Sequence, residues 1–277
     1  MRVIDRAIVK ALPVVPRRVV QRVSAPYIAG PTLDDARRTV ARLNAEGKLA
    51  TVDVLGEEVR RPEEAEAIAA AYQETLAAIA ADGLRAGVSV KLTALGLEID
   101  RDLCRSLLAE VVADAAAKGR FVRIDMEDSS CTDATLELYR GLREAGRDNV
   151  GIVLQSCLKR SLADVAALAD LRPDVRLCKG IYIEPEEVAY RDPDEIRASY
   201  LRILDALLEA GSYVALATHD EWLIRRSLER VAGRGSGEYE IQFLLGVREE
   251  RASELVSAGH RLRVYVPYGD RWYEYST

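Results

Sequence analysis

Arg176, Lys179 and Tyr182 lie close together in Asp174-Val-Arg-Leu-Cys-Lys-Gly-Ile-Tyr-Ile-Glu-Pro185, where a β-branched run gives way to Gly180, which frees the backbone to turn. Two cations and an aromatic ring at a strand end suit an electron-rich, planar, anionic ligand. The same cations could serve as ordinary ion-pair partners. Which role holds depends on what the neighbouring strands bring to the same place.

The chain alternates short β-branched runs with helical patterns. The runs are Leu49–Gly56, Val88–Leu95, Phe121–Asp128, Val150–Ser156, Val175–Gly180, Tyr213–Asp220, Tyr239–Gly246 and Arg261–Gly269. Between them the periodicity predicts helices over Pro62–Ala81, Arg101–Lys118, Thr132–Ala145, Ser161–Asp170, Glu195–Ala210, Trp222–Ala232 and Glu249–Ala258. A further amphipathic helix is expected over Thr32–Gly47, capped by Thr32. The pattern predicts an α/β fold, a (β/α)8 TIM-type barrel over residues 48–277 behind an N-terminal helical segment, 1–47. A doubly wound sheet would show a Gly-rich loop after its first strand, and Leu55-Gly56-Glu57-Glu58 is not one. Only Asp270–Thr277 follow the last run, too few for a normal helix after strand eight.

Side chains alternate across a strand, so one phase of each run faces the barrel axis. Val122, Ile124 and Met126 form the outward phase of the third run, which turns Arg123, Asp125 and Glu127 inward. The same logic turns Thr51, Asp53, Ser89, Lys91, Thr93, Gln155, Arg176, Glu240, Gln242, Arg263 and Tyr265 inward. A barrel interior is ordinarily filled with Val, Ile and Leu. Inward charges must pair with one another or with a ligand, and a ligand mouth at the C-terminal ends of the strands is expected. Asp125 could pair with Arg123, two residues away on the same face.

Net charge −6 and a pI near 5.3 argue against nucleic-acid binding. Two histidines and no C-x-x-C pair offer no zinc spacing, so no metal is expected. Cys104, Cys131, Cys157 and Cys178 read as free thiols of a reducing cytoplasm, with Cys157 and Cys178 small and buried rather than redox-active. No apolar run is long enough to span a bilayer. Met1–Gly30 carries six basic residues against one acidic, expected as a helix packed on its own domain, with peripheral contact to anionic lipid as the alternative.

Seven stretches in order resemble the strand ends of bacterial proline dehydrogenases. They are Ser89-Val-Lys-Leu-Thr-Ala-Leu95, Arg123-Ile-Asp-Met-Glu-Asp128, Val153-Leu-Gln-Ser156, Arg176–Pro185, Ala217-Thr-His-Asp220, Tyr239–Gly246 and Arg263–Gly269. The resemblance implies a distorted barrel that binds FAD, oxidises L-proline to Δ1-pyrroline-5-carboxylate and passes electrons to the membrane quinone pool. It implies that Arg176 meets the flavin near N5, that Gln155 contacts the isoalloxazine ring, and that Lys179, Gly180, Thr218, His219 and Gln242 hold the rest of the cofactor. By the same resemblance Lys91, Asp125 and Tyr265 line the substrate pocket, Tyr182 and Leu244 pack on the proline ring, and Glu57 is an acidic gate. Hydride loss from the ring carbon needs a neutral amine, and Lys91, Asp125 and Tyr265 are all candidates to receive its proton.

The resemblance also implies an adjacent arginine pair, a few residues after a segment like Trp272-Tyr-Glu-Tyr275, that clamps the substrate carboxylate. No such pair follows Tyr275, and Arg271 lies too early to match it. Oxidation of another cyclic secondary amine, or a barrel impaired in catalysis, are therefore the alternative expectations.

Overall fold

The computed structural model describes residues 25–56, 59–235 and 237–271. Eight parallel strands close into a barrel in chain order: β1 (Leu49–Val54), β2 (Ala86–Val90), β3 (Val122–Ile124), β4 (Val150–Gln155), β5 (Asp174–Cys178), β6 (Tyr213–Ala217), β7 (Tyr239–Leu244) and β8 (Leu262–Tyr268). Helix α1 (Leu33–Ala45) precedes β1. Helices α2 (Pro62–Ala81), α3 (Arg101–Ala117), α4 (Thr132–Glu144), α5 (Ser161–Leu168), α6 (Pro193–Glu209), α7 (Glu221–Val231) and α8 (Glu249–Ser257) follow β1 to β7 in turn.

Local signals set several helix starts. Thr32 and Asp35 form a reciprocal capping box: the Thr32 hydroxyl accepts the Asp35 N–H at 3.2 Å and the Asp35 carboxylate accepts the Thr32 N–H at 3.0 Å. Asp100, Asp192 and Asp220 cap α3, α6 and α7. Asp192 explains why α6 begins at Pro193 rather than at the expected Glu195: its carboxylate accepts the N–H groups of Asp194 and Glu195, and proline suits the first helical turn.

The outward phase forms the core between sheet and helices, with Val88, Val90, Ile124, Ile152, Leu177 and Val214 almost fully buried. Residues 28–30 join this frame, since Ala29 N–H donates to the Pro267 carbonyl and Gly269 N–H to that of Gly30. The inward phase is polar, as the alternation predicts. Small inward residues make room for long ones: a Cβ at Gly151 would lie 2.4 Å from Arg123 Nη1.

Two expectations need correction. Residues 126–128 do not extend β3 but leave the sheet, and the Met126 and Glu127 carbonyls accept instead from the Gln155 amide at 2.9 and 2.8 Å. Arg123 does not pair with Asp125. It turns toward the floor of the barrel, where Nη2 pairs with the Asp174 carboxylate and Nη1 with the carbonyls of Asp174 and Ile152. The segment after Arg271 and the residues before Ala25 lie outside the described residues.

Candidate active site

The inward charges divide into two layers. At the floor, Arg123–Asp174 and Arg263–Glu240 pair around a cavity of about 230 Å³ that Tyr213, Arg261 and Arg176 also line. These charges satisfy one another, which is what burial demands of them. Burial pushes the Glu240 carboxyl up, but Arg263 and Gln242 outweigh it and hold the group below its ordinary value.

Toward the mouth the arrangement changes. Arg176 on β5 reaches across the barrel. Its Nε donates to Gln242 Oε1 at 2.6 Å, and its Nη1 donates to Ser89 Oγ at 3.1 Å and to the Asp125 carboxylate. Its guanidinium also lies 5.2 Å from the centre of the Tyr265 ring, a cation–π distance. Asp125 accepts in addition from Ser89 Oγ at 2.7 Å and from the Tyr265 hydroxyl at 2.9 Å. Lys91 bridges Tyr265, at 3.4 Å, and Asp53, at 2.7 Å. Tyr72 on α2 donates to the other Asp53 oxygen at 3.1 Å. Burial pushes the Asp53 carboxyl up against the pull of Lys91.

Lys91, Asp125, Arg176, Gln242 and Tyr265 thus form one connected cluster drawn from β2, β5, β7, β8 and the end of β3. One group in it has no partner: Arg176 Nη2 is buried without a hydrogen bond. A buried donor left unmade costs about 1–3 kcal/mol. An anionic or carbonyl-bearing ligand at the mouth would relieve that cost, so the cluster fits the electron-rich flavin that the sequence suggests.

The remaining candidates surround this cluster. Lys179 pairs with Asp220 at 3.3 Å and stays substantially exposed. His219 Nε2 accepts the Leu244 N–H at 3.0 Å, so the proton of the neutral ring sits on Nδ1. Burial first, then Arg248 and Lys179, lower its pKa to about 4, so the imidazole is neutral at physiological pH. Thr218 accepts the Asp220 N–H at 3.2 Å. Gly180 has φ +98°, and a Cβ there would come within 2.3 Å of Cys157 Sγ and 2.7 Å of Gln155 Oε1. Gln155 therefore lies beneath Gly180, with its amide hydrogens on the two carbonyls beyond β3. Tyr182 and Leu244 are both exposed on the mouth, at the β5–α6 loop and the end of β7. Glu57 lies outside the described residues.

The sequence reading turned Asp53 and Ser89 inward but gave them no role. The signal was partly present: Ser89 is two residues before Lys91 on the same strand face. What was missing was the register that sets Asp53 opposite Ser89 and brings both within reach of the β2 and β3 chemistry. Tyr72 gave no signal, because it lies on a helix 19 residues along the chain from Asp53, the group it meets.

The four cysteines are free, and burial pushes their thiols up, Cys104 and Cys178 to about 12, Cys131 and Cys157 to about 11. They are inert at neutral pH. Among the described residues no helix is long and apolar enough to cross a membrane.

Comparison with known proteins bears on this site. The family model described as proline dehydrogenase matches residues 36–272. Proline dehydrogenase of Deinococcus radiodurans is 38% identical over 255 residues, covering 90% of this chain and 82% of that protein. Proline dehydrogenase 1 of Bacillus subtilis is 37% identical over 251 residues, covering 90% and 83%. Among solved structures, proline utilization A (PutA) from Bdellovibrio bacteriovorus, inactivated by N-propargylglycine, superposes with a TM-score of 0.86 at 26% identity. That match covers 94% of this chain and 32% of the longer PutA chain.

Proposed function

The chain belongs to the proline dehydrogenase family and is an enzyme of proline oxidation, and we propose that it works with a bound FAD held across the mouth of the barrel. The observation that carries this reading is the buried Arg176 guanidinium, fixed on three sides and unpartnered at Nη2. A bound flavin would supply the acceptor for the hydride lost by the ring carbon next to the proline nitrogen, the nitrogen lone pair forming the C=N bond of Δ1-pyrroline-5-carboxylate. Arg176 would supply the fixed cation that stabilises negative charge on the reduced cofactor.

The other residues take roles by position. Neutral His219 offers Nδ1–H, and Lys179 offers an exposed cation, to the phosphate-bearing part of the cofactor; Thr218 and Gly180 shape the same wall. Gln155 supports Gly180 from below and so sets the surface on which the flavin rests. Lys91, Asp125 and Tyr265 form the polar wall facing the substrate. Their mutual bonds let a proton from the amine move within the cluster. Tyr182 and Leu244 supply apolar surface for the pyrrolidine ring.

We further propose quinone as the electron acceptor, met at the membrane surface. Large hydrophobic side chains are exposed in the segments that follow the strands: Ile181 and Ile183, at 87% and 82% exposure, with Tyr182 after β5, Trp222 after β6 and Leu244 at the end of β7. Such a patch around a cofactor mouth suits a lipid-dissolved acceptor. The test of the central reading is the visible spectrum. A yellow protein whose flavin bleaches anaerobically with L-proline supports it, and a protein that cannot be loaded with FAD overturns it. Comparing bleaching by hydroxyproline and pipecolate tests substrate choice within the cyclic amines.

A further inference from the structure

One amide connects the floor of the barrel to its mouth. Gln242 accepts from Arg176 Nε through Oε1 and donates through Nε2 to Glu240 Oε1, two residues earlier on β7. A guanidinium only donates and an ionised carboxylate only accepts. An amide held between them has a single satisfied orientation. Glu240 is almost fully buried and is itself clamped, by Arg263 Nε and Nη2 at 2.7 and 3.0 Å and by the Tyr213 hydroxyl at 3.2 Å. Arg263 also donates to the Ala50 carbonyl at 2.9 Å, which ties the clamp to β1.

We propose that Glu240, at the closed end of the barrel, is a positioning residue for Arg176: it locks the Gln242 amide so that its oxygen, and not its NH2, meets the guanidinium. Arg176 is thereby held by acceptors at Nε and Nη1, and Nη2 is left for the flavin. Without the lock, the amide is free to turn its NH2 toward Arg176 Nε. Two donors would then face each other, and the guanidinium would swing toward Asp125 and away from its place at the mouth. The inference rests on the FAD reading, since the group that Arg176 serves is the flavin.

Two other roles for Glu240 compete with this one. It could simply neutralise Arg263, or it could act on the flavin as a charge through space. The sign of the effect on the flavin potential separates them. Removing a carboxylate through space makes the flavin easier to reduce and raises its midpoint potential. Losing the placement of Arg176 removes the stabilisation of the reduced flavin and lowers it.

The experiment measures the flavin midpoint potential and the anaerobic bleaching rate with L-proline in the holoprotein and three variants. Glu240→Leu leaves no acceptor for Gln242 Nε2; glutamine would not serve, because Oε1 accepts from both Gln242 and Arg263 Nε, and an amide oxygen there would keep the lock. Glu240→Asp keeps the charge that Arg263 needs, and hence the fold, but withdraws the carboxylate from Gln242 by one methylene. Tyr213→Phe removes a hydroxyl that bonds Oε2, the Glu240 oxygen that Gln242 does not use. The expected result is a more negative potential and bleaching slowed at least tenfold in both Glu240 variants, with the Tyr213 variant at the wild-type potential. A potential at or above wild type in Glu240→Leu overturns the inference. So does a wild-type potential in Glu240→Asp, which stands alone if the leucine variant does not fold, and so does an equal shift in Tyr213→Phe. Failure of the unaltered protein to bleach with proline would instead overturn the flavin reading and, with it, the inference.

Discussion

Asp53 and Lys91 form an ion pair inside the barrel: Nζ lies 2.7 Å from Oδ2, and the Asp53 side chain is entirely buried. The pair joins β1 to the end of β2 and carries Lys91 to the edge of the Asp125–Tyr265 cluster. Truncating Asp53 takes from the buried Lys91 ammonium a carboxylate at 2.7 Å and from the Tyr72 hydroxyl its acceptor. Asp53→Ala is therefore expected to lose about 3–5 kcal/mol of stability. Urea unfolding followed by circular dichroism checks it. Adding Lys91→Met to that variant should recover part of the loss, because it removes a charge that Asp53 compensated.

Tyr265→Phe deletes the hydroxyl that donates to Asp125 and accepts from Lys91, and leaves the ring beside Arg176 in place. A bond to a charged acceptor contributes about 1.5–3 kcal/mol, so anaerobic bleaching should slow by about tenfold or more. The melting temperature should move little by comparison. Asp125→Ala is expected to be far worse than Tyr265→Phe, since it also removes the carboxylate partner of Arg176.

Gly180→Ala introduces both a Cβ clash with Cys157 and Gln155 and a strained left-handed backbone. The expected penalty is about 2–4 kcal/mol, the sum of an unfavourable φ and local overpacking. The clash bears on the wall proposed to support the flavin, so FAD content after purification should fall more sharply than circular dichroism at 222 nm changes. Full FAD occupancy with unaltered stability would contradict this account of the turn.

His219 titrates near 4 in the folded protein against 6.5 as the ordinary value. Below 6.5 the unfolded chain therefore binds more protons than the folded one. Stability from this group is complete above pH 6.5 and is lost as pH falls through 4. His260, lowered by burial and by Arg251, acts in the same direction. Melting temperatures at pH 7.5 and pH 5 should fall in that order for the unaltered protein. The interval should narrow in His219→Gln, and an unchanged interval would show that the imidazole is not held neutral.

The apolar rim gives a prediction independent of the chemistry. Ile181→Ser with Ile183→Ser should reduce sedimentation with vesicles or quinone reduction in their presence, read against bleaching by proline alone. Equal vesicle binding in the variant and the parent would remove the rim from the electron-transfer reading.

Much of the site was legible before any folding was considered, because side-chain alternation is a property of a single strand. Arg123, Asp125 and Arg176 are inward from their own runs alone, and the apolar phases beside them say so. The resemblance implies one ligand for Arg176, His219 and Gln242, which lie within or just beyond their own strands β5, β6 and β7. Strand lengths were legible less well. The sequence of residues 126–128 continues an alternating run, but the Gln155 amide on the next strand takes those carbonyls from the sheet. That outcome belongs to two strands, not one.

By itself the amino-acid sequence determined the number and order of the elements, the polar character of the barrel interior, and the helix starts at Thr32 and Asp100, since each depends on residues within a few positions of one another. Only the tertiary structure decided which charge meets which. Arg123 passes over Asp125 for Asp174 on β5, Asp125 takes Arg176, and Asp53 takes Lys91. Those pairings depend on the stagger between neighbouring strands and on the closure that brings β8 against β1. Both are set by the packing of the whole ring, and no local stretch of sequence encodes them.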